Sequence, residues 1–184
     1  MLFFYLIWTD TLLLEKIMNK NNKKGFTLVE ILIVVLVIGL LAAIALPQYR
    51  KSVVKSRLST MKNLIRKASD GAELFYMSNH SYPAKWEDFH ISLPTPLEEN
   101  SNTYTFKGFY CQFFTTGGER IICTHHSTGI GYQRRFIHTK NNNAGKAICV
   151  SYNSIADNVC KVETGKEKPF YTATDGSNQK SWLY

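Results

Sequence analysis

The sequence predicts an α+β fold, with one long N-terminal helix, apolar in its first half and amphipathic in its second, packed on a small antiparallel β-sheet. Three observations carry that prediction. Residues 26–46 form an apolar run whose single ionisable residue is Glu30. Val54, Leu58, Met61, Ile65, Ala68, Ala72 and Phe75 then recur at alternating steps of four and three, the spacing of one buried helix face. Beyond residue 79 this period stops, and short runs rich in aromatics and Thr alternate with Gly- and Asn-rich turns that include four cysteines.

The apolar run comes first. Its 21 residues make about 31 Å of helix, which matches a hydrocarbon core of about 30 Å. Lys20, Lys23 and Lys24 lie just before it, so the positive-inside rule leaves them in the cytoplasm and sends everything after Pro47 outward. A carboxylate in such a span costs about 2.5–3.5 kcal/mol at mid-membrane and less near the end, and by default it marks a functional site. The sequence offers Glu30 no partner within the span. A simple membrane anchor has no use for such a residue.

The octet Lys23-Lys24-Gly25-Phe26-Thr27-Leu28-Val29-Glu30, running into the apolar stretch, resembles the type IV prepilin signal residue for residue. The close resemblance covers about residues 23–49. It implies that a prepilin peptidase cuts between Gly25 and Phe26 and that the new Phe26 amine is N-methylated. It also implies that Glu30 pairs with that amine on a neighbouring subunit during filament assembly. A secretory signal is cut after its apolar region, whereas this cut precedes it, so the helix stays in the mature protein. Residues 1–25 are thus expected to be a leader, and 18–25 its true extent. Starting at Met18 gives the short basic leader usual for the family, whereas residues 1–17 hold two apolar stretches too short to span; Met1 is the alternative start.

Residues 26–49 are expected to be the transmembrane and assembly helix, and 50–78 its amphipathic continuation into the globular domain. A helix over residues 26–78 would measure about 80 Å, resembling the spine of a pilin. Pro47 removes a backbone hydrogen bond and Gly39 weakens its turn, so the segment between them is the expected place for a kink or melting. Lys51, Lys55, Lys62 and Arg66 share one helix face, available to lipid headgroups, to acidic side chains of filament neighbours or to solvent.

Residues 79–184 are expected to form a loop followed by the sheet. Tyr82-Pro83, Leu93-Pro94 and Thr95-Pro96 punctuate a loop over 79–102, with a short helical turn around 85–89. Strands are expected at 103–107, 109–114, 119–124, 132–138 and 147–152, the second and third forming a hairpin across Thr115-Thr116-Gly117-Gly118. Trp182-Leu183-Tyr184 either returns as a last strand or frays. The four cysteines, Cys111, Cys123, Cys149 and Cys160, permit three connectivities. Their spacings of twelve and eleven residues favour Cys111–Cys123 and Cys149–Cys160, and the hairpin brings the first pair onto facing strands. The region 147–161 resembles, more loosely than the leader, the disulfide-closed C-terminal part of many pilins.

The whole chain has 184 residues and a formal net charge of +8; without the leader's four Lys, Asp10 and Glu15, 18 basic and 12 acidic residues leave +6. That charge favours anionic surfaces, nucleic acid among them, but serves solubility equally. The amphipathic helix lacks the interleaved aromatics of a nucleic-acid track. His125-His126 has no third ligand at metal-binding spacing, and adjacent strand residues point to opposite faces. Paired catalytic carboxylates, a nucleophile elbow and a phosphate loop are missing. No enzyme activity, metal or cofactor is expected. The resemblance implies instead a structural pilus subunit, held in the inner membrane with its C-terminal domain in the periplasm and later placed in a surface filament. Its implied partners are further copies of itself, other pilins, the prepilin peptidase and the inner-membrane assembly machinery. A pseudopilin of a type II secretion system, or a minor pilin binding DNA or a surface, are the alternatives.

Overall fold

Helix α1, Leu28–Asn79, is the first element of the computed structural model, whose described residues are 26–89, 92, 94–100, 102–116, 118–140 and 142–184. Gly25 and the rest of the expected leader, with both candidate starts, lie outside them. The chain divides into two compact units, one ending at Ala45 and the other comprising Leu46–Tyr184.

In the second unit the predicted stripe is the buried face of α1. Val54, Leu58, Met61, Ile65, Ala68 and Ala72 are buried, joined by Leu64, Ser69 and Gly71, while Phe75 is half-buried. The steps of four and three put these residues on one side of the helix, where they meet the sheet.

That sheet has eight strands: β1 Glu98–Asn100, β2 Thr103–Phe106, β3 Phe109–Phe114, β4 Arg120–His125, β5 Ile130–Arg135, β6 Ala147–Ser151, β7 Tyr171–Thr172 and β8 Lys180–Leu183. Their order is β1-β2-β3-β4-β5-β6-β8-β7, antiparallel throughout. One cross-strand row runs Tyr104, Cys111, Cys123, Tyr132, Cys149, Trp182. All six belong to the core formed with α1 or pack against it. Cys111 and Cys123 are directly opposed and bonded to each other. Trp86 and Phe89, on a 3₁₀ turn over Trp86–Phe89, cap the core by packing on Tyr104 and Phe113.

Several borders differ from the sequence reading. The segment expected to be a strand at 132–138 begins at Ile130 and ends at Arg135; Phe136 still bonds across to both neighbours, donating its amide to the Glu119 carbonyl and accepting the Gly145 amide, and the chain turns at 137–140. Phe136 and Ile137 have strand-like composition, yet Phe136 serves as a buried anchor just past the strand, its ring tilted against Tyr82. Gly131 sits where a Cβ would lie 3.0 Å from the Cys123 carbonyl oxygen, so close strand approach favours glycine there. β1 lies inside the expected loop, and β8 resolves the open alternative at the C-terminus by pairing with β6.

The largest difference is helix α2, Ser154–Thr164, in a stretch read only as part of a disulfide-closed C-terminal region. Asn153 caps it, its Oδ1 accepting from the Ala156 amide at 2.9 Å while its Nδ2 donates to the Thr128 carbonyl. Gly165 ends it in the left-handed conformation, φ 67°. The Cys149–Cys160 disulfide fastens α2 to β6.

Candidate functional site

The first unit presents the candidate residues Glu30 and Gly39 on an apolar helix. From Leu28 to Leu46 every Leu, Ile and Val side chain is exposed, at 48–90% of its full area. A helix that is hydrophobic all round is stable only when lipid or protein surrounds it. By length and composition α1 contains a segment able to cross a membrane.

Glu30 has a local partner that the sequence reading overlooked. Its carboxylate accepts from the Thr27 amide at 2.8 Å and from the Thr27 hydroxyl at 2.9 Å, and its own amide donates to Thr27 Oγ1 at 3.3 Å. This is a capping box, in which two residues at either end of the first turn satisfy each other's orphan amides. The expectation that nothing in the span could pair with Glu30 is therefore corrected. The signal was present as Thr27-Leu28-Val29-Glu30, a Thr followed three residues later by Glu before an apolar run. Phe26, just before the box, is exposed. Gly39 has open space around it, and α1 includes both Gly39 and Pro47.

In the second unit the basic face of α1 is partly used within the domain. Lys62 Nζ lies 2.5 Å and Lys55 Nζ 3.1 Å from the Glu163 carboxylate of α2. The bond from Lys62 holds the Glu163 carboxyl below the ordinary carboxylate range, with Lys55 adding to the effect. Lys62 also lies over the Tyr184 ring, 4.6 Å from its centre. Two of the four face-sharing cations thus hold α2 and the C-terminal residue to α1. Lys51 borders a groove of about 300 Å³ between α1 and α2.

A second clasp closes the far end of α1. Tyr82 donates its hydroxyl to Glu73 and accepts the His138 amide at 3.0 Å, and Glu73 also accepts the Ile137 amide at 2.8 Å. Burial pushes the Tyr82 phenol up, with the neighbouring Glu73 charge acting in the same direction. His125 and His126 diverge. His125 is buried beside Gly108 and His126 is exposed against Tyr110. Among the described residues no group of three or more His, Cys, Asp or Glu is placed to hold a metal ion.

Residues 20–46 match the prokaryotic N-terminal methylation motif. The chain is 34% identical over 112 residues to a fimbrial protein of Moraxella nonliquefaciens, covering 53% of this chain and 70% of that one. It is 55% identical over 40 residues to the type IV major fimbrial protein FimA of Dichelobacter nodosus, covering 22% and 26% respectively. It is 27% identical over 79 residues to the type II secretion system core protein G of Pseudomonas aeruginosa, covering 43% and 56%. The chain spans less than two thirds of the last two relatives. The motif runs into the apolar helix sequence, and the Moraxella likeness extends well beyond it, so the chain belongs to the type IV pilin family.

Proposed function

We propose that this protein is a structural subunit of a type IV pilus and polymerises through its N-terminal apolar helix once a prepilin peptidase has cut between Gly25 and Phe26. The observation that carries the reading is the exposed apolar surface of residues 28–46 with a single carboxylate, Glu30, in its first turn. Lipid tails and packed apolar helices are similar environments, so this surface can leave the inner membrane for a filament core at small net cost. The carboxylate is what distinguishes one helix stagger from another. Pairing with the methylated Phe26 amine of a neighbouring copy offsets the burial of its charge, while a misregistered neighbour leaves it unmatched. The Thr27 contacts hold Glu30 folded back on its own helix until that partner arrives. Residues 26–49 serve as anchor and assembly element, with Gly39 and Pro47 allowing the helix to loosen between them. Residues 50–78 carry the amphipathic half and 79–184 the rest of the head. Before assembly the head faces the periplasm; afterwards it lies on the cell surface, among copies of itself and other pilins.

The test is a strain carrying Glu30→Ala, compared with a deletion of the gene. Leader removal, read by the mass of the membrane-bound protein, should proceed as in the wild type, while sheared surface filaments should fall to the level of the deletion strain. Normal filament yield from Glu30→Ala would sink the assembly role. The likeness to a type II secretion protein favours a second reading, a pseudopilin. That reading wins if deletion leaves surface filaments intact and abolishes secretion of a folded exoprotein. The two disulfides and the eight-stranded head favour the pilus subunit.

A further inference from the structure

From Arg120 to Ala156 the sequence holds no Asp or Glu, yet it holds Arg120, Arg134, Arg135, Lys140 and Lys146. The β4–β5 register sets Arg120 directly opposite Arg135, and the β3–β4 register sets Phe114 opposite Arg120, so all three share one face at one end of the sheet. Like charges directly opposed across two strands repel. Arg120 is nonetheless held in place, with its guanidinium 4.0 Å from the Phe114 ring centre and its Nη1 donating to the Gly118 carbonyl. Arg135 is less well provided for. Its Nε and Nη1 are both shielded from solvent, and neither has an acceptor among the described residues. The adjoining acid, Glu119, is turned to the Thr139 hydroxyl, and no ion pair among the described residues engages either arginine.

Buried donors almost always have a partner, and opposed guanidiniums are stable when an anion lies between them. We propose that Arg120 and Arg135 form an oxyanion site at this end of the sheet, which takes one phosphate or sulfate group. Arg135 supplies the shielded donors, and Arg120, held by Phe114 and Gly118, supplies the second positive wall. Arg134, Lys140 and Lys146 lie on the adjoining segments and raise the local potential. The unsatisfied donors sit at one register position, which suits a single group rather than the repeating phosphates of a polymer. Phe114, the aromatic of the row, is covered by Arg120 and is not available to stack a base. The site lies within the head and does not depend on filament assembly.

The full chain in detergent micelles, titrated with inorganic phosphate and with sulfate against chloride at equal ionic strength, provides the test. Both oxyanions should give a saturable heat of binding and raise the unfolding temperature, while chloride does neither. Arg135→Gln and Arg120→Gln should each weaken binding about tenfold or more, and Lys51→Gln, on the other side of the head, should leave it unchanged. In chloride alone Arg135→Gln should unfold no earlier than the wild type, since it removes a like-charge neighbour. The proposal fails if phosphate adds nothing to the chloride response, or if both arginine variants bind as the wild type does. It fails equally if a single-stranded oligonucleotide binds this face with steep salt dependence while inorganic phosphate has no effect, because that marks a polymer track.

Discussion

Glu163 concentrates much of the head's electrostatic organisation in one carboxylate. It is mostly shielded, with 17% of its side chain exposed, and it faces Lys62 at 2.5 Å and Lys55 at 3.1 Å. Lys55 is 64% exposed, so its contribution is small, and the Lys62 bond is the stronger of the two. Because that bond lowers the folded-state pKa, the stabilisation is fully present above the pH where an unfolded glutamate titrates, about 4.3. It is lost as pH falls from there through the lower folded value. Glu163→Gln should therefore cost about 1–2 kcal/mol at neutral pH and flatten the acid limb of the stability curve. Urea unfolding between pH 7 and pH 3 tests this. An acid limb in the variant as steep as that of the wild type would assign the pH dependence elsewhere, first to Glu119, whose carboxyl the Thr139 hydroxyl lowers in the same direction.

Elements differ in how openly the sequence announces them. The stripe from Val54 to Ala72 was legible because six residues in register outweigh any local exception, and its members are the buried face of α1. The β3–β4 hairpin was legible because an aromatic-rich run and a short apolar run flank a Gly-Gly turn. Helix α2 was equally well signposted, with Asn153 at its start, Asp157 and Lys161 at the favourable ends and Gly165 beyond. It was missed because two cysteines eleven residues apart drew the reading toward a loop. β1 and β7 have three and two residues, and only pairing with a neighbour defines strands so short. The Arg120–Arg135 pairing was invisible for a related reason, since register across a turn is not written in either strand alone. The disulfide on α2 carries a prediction of its own. A loop of this length contributes about 3 kcal/mol, so Cys149→Ser with Cys160→Ser should lower stability by about that amount. It should also raise amide exchange across Ser154–Thr164 before it does so in β3 and β4, whose hydrogen bonds are independent of it. Exchange rising uniformly over the head would mean that α2 has no separate opening.

At the scale of the whole molecule, the two halves of α1 answer to different solvents. The buried hydrophobic residues begin at Val54, and every Leu, Ile and Val from Leu28 to Leu46 is exposed. Both disulfides, the Lys62–Glu163 pair and the Tyr82–Glu73 clasp lie in the second unit. The burial pattern separates folding from anchoring. A chain beginning at Gln48 should dissolve without detergent, remain monomeric, form both disulfides and unfold cooperatively at the same temperature as the head of the full chain. It should also lose all capacity to enter filaments, since it lacks Phe26, Glu30 and the apolar surface between them. The full chain in water has the opposite fate, because an apolar surface of that extent associates or binds lipid. Calorimetry and sedimentation of the shortened chain, beside the full chain in micelles, make the comparison. If the shortened chain aggregates or melts without a cooperative transition, the apolar half of α1 is a folding element as well as an assembly element. A soluble head with an unchanged transition would instead leave the first half of the helix with membrane residence and polymerisation as its whole task.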